Sequence, residues 1–395
     1  MQYPVSDKIS TLKPSAIREI FKYAGLPGVI SLSAGTPAAE TLPVELLARF
    51  CGEILQQEPV TALSYSQSEG HPPFRNALKE YLRGQGGFCE YDDLIVTSGA
   101  QQCMDLITKV LCNEHDTIIC ETPSFIGSLN TFRSYNTNLV GIPLEEDGIC
   151  LEKLEAALQE NKNVRFIYLI PNFQNPTGIT MSLQKRRACL ALAKKYNVPI
   201  LEDNPYGDLR FTGESLPTIK SMDTDGIVLY AGTFSKILSS GMRVGYLVAP
   251  AEIMGKLVVA KQCTDVHTSM LAQLCCYRFL SEVDMTEHLR TLSKVYSRKC
   301  GLMLAEMEKQ FPQTVRWTRP EGGMFIWVTL PGGADSAPFV TELVREYKIA
   351  VVPGSAFAVR DGELSSSFRL NFSTPADEQI VEGIARIGKA FAAQR

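Results

Sequence analysis

Between Asp93 and Pro250 the chain carries seven short apolar runs, and their spacing limits the fold more than any other feature. The runs are Leu94–Val96, Thr117–Cys120, Leu139–Ile142, Phe166–Ile170, Val198–Leu201, Ile227–Tyr230 and Val244–Val248. They are rich in Ile, Val and Leu, and amphipathic stretches such as Leu183 to Tyr196 separate most of them. That alternation predicts an α/β domain: a mainly parallel, seven-stranded sheet between helices. Ligands of such sheets bind beyond the carboxyl ends of the strands. The residues after each run are therefore the candidates for chemistry.

The flanks read differently. Beyond Pro250 a mainly helical stretch extends to about Gln310. Strand-like runs (Met324–Val328, Ala350–Val352, Phe368–Phe372) then alternate with helical ones (Pro338 to Tyr347, Glu378 to Ala392), which predicts a small α+β domain. Near the amino end, Pro14-Ser15 predicts a helix start, with Arg18 in the first turns and the helix reaching Tyr23. Val29–Ser33 predicts a short strand, closed by the breaker cluster Ala34–Pro37. A helix is expected from Pro43 to about Gln57, and Tyr65 stands in a polar, turn-rich stretch ahead of another at Phe74 to Arg83. We expect residues 1–45 to complete the small domain, residues 46–285 to form the large one, and residues 286–395 to form the small carboxyl-terminal domain.

Composition narrows the partners. A net charge of −4 gives no electrostatic footprint for nucleic acid or an anionic membrane. No apolar run is long enough to span a bilayer, and the amino terminus lacks the apolar core of a signal peptide. The eleven cysteines are scattered without a CxxC pair, and the four histidines lie far apart. Reduced thiols in the cytoplasm and no metal site are expected, with small molecules as partners.

Strand ends supply a constellation. Leu94–Thr97 runs into Ser98-Gly99-Ala100-Gln101 and a helix, a turn whose backbone N–H groups suit a phosphate. Phe166–Ile170 leads to Pro171-Asn-Phe-Gln-Asn-Pro-Thr-Gly178, a fixed loop that directs the Asn175 amide. Val198–Leu201 ends in Glu202-Asp203 and leads to Tyr206, and an aspartate there either caps or pairs locally or faces a ring nitrogen. Leu229–Thr233 is followed by Lys236, with no other cation before Arg243. A lysine in such a half-buried segment either lays its stem over the core or is desolvated as a Schiff-base amine. Singly each signal is modest, but the joint order is hard to obtain by chance.

Pro171–Gly178, Asp203-Asn-Pro-Tyr206 and Ser235–Arg243 resemble the motifs of fold-type I pyridoxal-phosphate aminotransferases. From about Pro14 onward the chain most resembles the α-aminoadipate/kynurenine group, with Pro14–Arg18 part of that closer match. The resemblance implies the fold of PLP-dependent transferases of type I and pyridoxal 5'-phosphate as cofactor. It implies that Lys236 is the Schiff-base lysine and the acid/base at Cα. By the same resemblance Asp203 would pair with the ring nitrogen, and Tyr206 and Asn175 with the phenolic oxygen. Ser98, Gly99, Ala100, Gln101, Thr233, Ser235 and Arg243 would surround the phosphate. Phe125 stacks on the ring, where the group often has tyrosine, so a tyrosine hydroxyl's hydrogen bond is absent here. Arg369, helped by Asn175, matches the fork that grips the substrate α-carboxylate, and Arg18 matches a mobile-segment arginine that meets a distal carboxylate. Gly35 and Tyr65 match a substrate-side loop and a tyrosine reaching from a neighbouring subunit, so a homodimer with shared active sites is implied.

The expected activity is transfer of the amino group of an L-amino acid, of 2-aminoadipate, aromatic or branched-chain type, to a 2-oxo acid such as 2-oxoglutarate. A β-lyase or decarboxylase on the same scaffold is one rival, since the fold does not choose among these reactions. A PLP-binding sensor module is another. It conflicts with a catalytic match that begins at Pro14, which leaves no room for an amino-terminal DNA-binding domain.

Overall fold

The structure is a computed structural model describing residues 3–10, 12 and 27–394. The expected first helix, with Arg18, lies outside the described residues. Strand β1 (Ile30–Ser31) opens the described β structure, followed by β2 (Asp92–Thr97), β3 (Thr117–Thr122), β4 (Asn138–Glu145), β5 (Gly148–Ile149), β6 (Val164–Leu169), β7 (Ile200–Asp203), β8 (Val228–Thr233) and β9 (Gly245–Pro250). Strands β2 to β9 form one sheet in the order β2-β9-β8-β7-β6-β3-β4-β5.

All seven expected strands are present, and the sheet has an eighth. The addition is the two-residue β5, which pairs antiparallel with β4 after a tight acidic turn. It is too short to leave a hydrophobic pattern. The four pairings from β8 through β7, β6 and β3 to β4 are parallel. Strand β9 instead runs antiparallel to both β8 and β2. The segment between β8 and β9, residues 234–244, holds no helix, and a parallel return needs a crossover of about a dozen residues or more.

Central strands are buried on both faces. Phe166, Tyr168 and Ile170 pack toward one helical layer with Leu201 and Leu229, and Ile167 and Leu169 pack toward the other with Ile200 and Val228. This is why these segments read as continuous apolar runs rather than as alternating ones. Helix Leu183–Tyr196 shows how local chemistry sets the ends of the covering helices. Ser182 Oγ accepts from the Lys185 N–H, and Asn197 closes the helix in the left-handed region at φ 51°.

The smaller layer contains β10 (Arg316–Trp317), β11 (Phe325–Thr329), β12 (Ile349–Ala350), β13 (Val352–Pro353) and β14 (Ser367–Asn371). Strands β10-β11-β14-β13 form an antiparallel sheet, and β1 pairs in parallel with β12. The early strand thus joins the carboxyl-terminal layer. The 26-residue helix Met285–Gln310 packs along helix Asp377–Ala393 behind it.

Candidate active site

The carboxyl ends of β6, β7 and β8 open into a cavity of about 300 Å³, which the small layer closes with Phe325 and Arg369. Asp203 is the last residue of β7, so the strand carries its carboxylate to the cavity floor. Its Oδ2 accepts a 2.7 Å hydrogen bond from the Tyr168 hydroxyl, which in turn accepts from Ser128 at 2.8 Å. Asp203 Oδ1 is buried and has no partner among the described residues. Burial pushes this carboxyl up to about 7, opposed by the Tyr168 hydrogen bond and the charge of Lys236.

Lys236 sits three residues beyond the end of β8. Its Nζ donates to the Gly35 carbonyl at 2.6 Å and lies 5.7 Å from the centre of the Tyr206 ring. Burial, then the nearby charges of Arg369 and Arg243, lower its ammonium to about 8. The amine is thus turned into the cavity onto the Gly35 carbonyl and desolvated. At the same strand end Thr233 Oγ1 lies 2.9 Å from Ser235 Oγ, and Arg243 Nη1 reaches that Ser235 hydroxyl at 3.4 Å. Arg243 Nη2 donates to the Ser98 carbonyl at 3.2 Å. Its guanidinium packs so closely over Gly99 that a Cβ there would lie 2.3 Å from Nη2. Helix Ala100–Leu111 begins at this point, and Ala100 and Gln101 bring its amino end to the cavity wall.

A second cationic group stands across the cavity. Arg369, on β14, donates to Asn175 Oδ1 at 2.7 Å and to the Ser33 carbonyl at 2.8 Å, while its Nε is buried without a partner among the described residues. Its guanidinium lies 4.1 Å from the centre of the Phe325 ring and 4.9 Å from that of Phe357. Burial lowers it to about 10. Asn175 also donates to the Tyr206 hydroxyl at 3.3 Å, so one amide links the clamp to the tyrosine. Burial raises the Tyr206 phenol above its ordinary range.

Twelve expected residues thus line one cavity: Gly35, Ala100, Gln101, Phe125, Asn175, Asp203, Tyr206, Thr233, Ser235, Lys236, Arg243 and Arg369. Three others are placed elsewhere. Ser98 turns its hydroxyl away from the cavity onto Asp265 Oδ2 at 2.7 Å, so only its backbone faces the Arg243 side. Gly99 meets the site through Arg243. Tyr65 is 90% exposed, with its ring edge-on to His267. The Gln101 side chain also turns aside, donating to the Gly127 carbonyl at 2.9 Å. Sequence reasoning did not single out Tyr168, Ile170 and Phe325, although they bear on the cavity. Tyr168 is the one hydroxyl in the otherwise aliphatic and aromatic run Phe166–Ile170, the only signal available for it.

Among the described residues, Lys236, Arg243 and Arg369 form no ion pair with a carboxylate. The cavity therefore calls for an anion at each end. The orphaned Asp203 Oδ1 between them asks for a buried N–H. A phosphorylated pyridine with an aldehyde within reach of Lys236 fits this donor set, and an amino acid carboxylate fits Arg369.

Comparison with known proteins agrees with this chemistry. Residues 27–387 match the family described as aminotransferase class I and II. The chain is 40% identical to aromatic-amino-acid aminotransferase 1 of Thermococcus litoralis, over 98% of this chain and 93% of that protein. It is 36% identical to the 2-aminoadipate transaminase of Thermus thermophilus, over 96% and 94%. The crystal structure of Pyrococcus horikoshii kynurenine aminotransferase, solved with PMP, superposes with a TM-score of 0.94 at 36% identity, covering 99% of this chain and 97% of that one. This protein therefore belongs to the class I and II aminotransferases, and its cofactor is pyridoxal phosphate.

Proposed function

We propose that the protein transfers the amino group of an aromatic or 2-aminoadipate-type L-amino acid to a 2-oxo acid, with 2-oxoglutarate the foremost acceptor. One observation carries this: the Arg369 clamp and the Lys236 amine face the same 300 Å³ cavity with Asn175 and Tyr206 between them. Bound pyridoxal phosphate supplies the carbonyl that accepts and returns an amino group and the ring that spreads charge from Cα. Asp203 holds the ring nitrogen through its free Oδ1. Arg243, Ser235, Thr233 and the amino end of helix Ala100–Leu111 hold the phosphate. Arg369 fixes the α-carboxylate, which sets the direction of the Cα–H bond. Lys236, lowered to about 8, would take the proton from substrate Cα and return it to the carbonyl-derived carbon of the cofactor, as a base that is partly neutral near pH 7. Phe125 and Ile170 contribute apolar surface to the cavity walls.

The substrate class rests on the relatives, which by their names act on aromatic amino acids, 2-aminoadipate and kynurenine. A Cβ on Gly35 would lie 3.0 Å from the Phe325 ring, so Phe325 packs closely against the glycine at the cavity wall. Arg18 is assigned to a distal carboxylate through its motif. A homodimer is also part of the proposal. Tyr65, Val60 and Leu63 form an exposed apolar strip, 90%, 76% and 72% exposed, which suits a subunit interface across which Tyr65 reaches the partner's phosphate. Eleven cysteines without a disulfide fit the cytoplasm.

The test is a panel of amino acids assayed against 2-oxoglutarate and pyruvate, with both products quantified. Stoichiometric formation of the new amino acid and the new oxo acid, fastest with aromatic or 2-aminoadipate donors, is expected. Release of ammonia without a new amino acid would instead favour lyase chemistry.

A further inference from the structure

We infer that Asp265 is a positioning residue of the phosphate site, acting through Ser98. This rests on placing the phosphate at the amino end of helix Ala100–Leu111. Ser98 precedes that end, and each of its polar groups is engaged. Its N–H donates to Gln102 Oε1 at 2.8 Å, its hydroxyl to Asp265 Oδ2 at 2.7 Å, and its carbonyl accepts from Arg243 Nη2 at 3.2 Å. Two of these three bonds converge on one buried cation. Lys261 is fully buried, and its Nζ holds Gln102 Oε1 at 2.7 Å, Asp265 Oδ1 at 2.9 Å and Thr268 Oγ1 at 3.1 Å.

The consequence lies in what Ser98 supports. Shifting its peptide moves the two anion-binding elements together: the helix amino end that starts at Ala100 and the guanidinium that leans on the Ser98 carbonyl. Neither Asp265 nor Lys261 lines the cavity. The pair therefore acts on phosphate grip by geometry and leaves the ring and Cα groups untouched. A bond from Ser98 to a charged acceptor is of a kind that changes affinity about tenfold or more when lost.

The experiment compares the affinity of the cofactor-free protein for pyridoxal phosphate with that for pyridoxal, which lacks the phosphate. Asp265→Ala and Ser98→Ala should each weaken pyridoxal phosphate binding about tenfold while leaving pyridoxal binding within about twofold. Ser98→Ala keeps the Lys261–Asp265 pair, so it tests the bond even if Asp265→Ala folds poorly. Asp265→Asn, which still offers an oxygen to Ser98, should retain most of the preference for the phosphorylated ligand. The double variant should lose no more than either single one. Equal losses for both ligands, or unchanged pyridoxal phosphate affinity in Ser98→Ala, would overturn the inference. Arg243→Ala in the same assay separates the two levels. If it too leaves the preference intact, the phosphate placement itself fails; if it alone abolishes the preference, only the role of Asp265 does.

Discussion

The Tyr168 hydroxyl donates to Asp203 Oδ2 at 2.7 Å, and the other carboxylate oxygen stays buried without a partner among the described residues. The two side chains come from neighbouring parallel strands, β6 and β7, whose register places Tyr168 beside Leu201. Tyr168 therefore fixes the carboxylate plane and favours its charged form, which leaves Oδ1 open to the ring N–H of the proposed function. Tyr168→Phe should lower kcat/KM about tenfold and move its acidic limb to higher pH, because the buried acid loses a donor that favours ionisation. A pH profile that superimposes on the wild type would rule out this role.

Asp203 also has a stability signature in the cofactor-free protein. Its carboxyl is raised to about 7 from an ordinary 3.8. Between these values the folded state keeps a proton that the unfolded state has released, so stability falls as pH rises through that window. Asp203→Asn removes the slope. The Tm of the variant relative to wild type should be least favourable near pH 4 and improve up to about pH 7, then level off. Glu121, raised to about 8 by its own burial, is common to both proteins and cancels to first order. Calorimetry showing a constant Tm difference from pH 4 to pH 8 would contradict the assignment.

For Lys236, lowered to about 8 by burial and two neighbouring arginines, the reactive neutral amine grows with pH. The rate at which the cofactor-free protein captures pyridoxal phosphate should rise between pH 6.5 and about 8 and then flatten. Lys236→Ala should abolish turnover and the absorption band of the lysine-bound cofactor. Full transamination by that variant would remove Lys236 from the mechanism, and a capture rate independent of pH would contradict the lowered amine.

In the proposed function Arg369 serves amino acid and oxo acid alike, since both carry an α-carboxylate. Arg369→Ala should raise KM for both substrates on the order of 10²-fold, by loss of a charge-assisted fork. Asn175→Ala should produce a smaller rise for both, because it leaves the guanidinium in place and removes one of its supports, the 2.7 Å bond to Asn175 Oδ1. Unchanged KM for either substrate in Arg369→Ala would mean that another group holds the carboxylate.

Much of this was legible because buried parallel strands leave long apolar runs and their ends must stop at polar residues. Lys236, Asp203 and Asn175 declared themselves in that way. Strand β5 did not, being two residues long, and neither did the antiparallel course of β9, which depends on a missing crossover helix rather than on pattern. Tyr168 was hidden for a different reason. Alternation with Phe166 and Ile170 fixes the face it shares, but its partner is chosen by the neighbour β7. The direction of the Ser98 hydroxyl was equally out of reach, since Asp265 and Lys261 lie far along the chain. Motif matching alone would turn that hydroxyl toward the phosphate, whereas the structure turns it to Asp265.

Gly99 offers the sharpest test of how the phosphate clamp is held. Its φ is +83°, and a Cβ would lie 2.3 Å from Arg243 Nη2, so Gly99→Ala carries two penalties: backbone strain and eviction of the guanidinium. The clashing atom is the end of a flexible side chain, so Arg243 should move before the turn does. Its hydrogen bonds to the Ser98 carbonyl and Ser235 hydroxyl would then be lost, and pyridoxal phosphate affinity should fall more than about tenfold. In an Arg243→Ala background the clash is gone, and the same substitution should cost only its backbone strain. Binding measured in both backgrounds decides the matter: a much smaller second loss assigns the close approach to Arg243, whereas equal losses would place the whole effect in the turn.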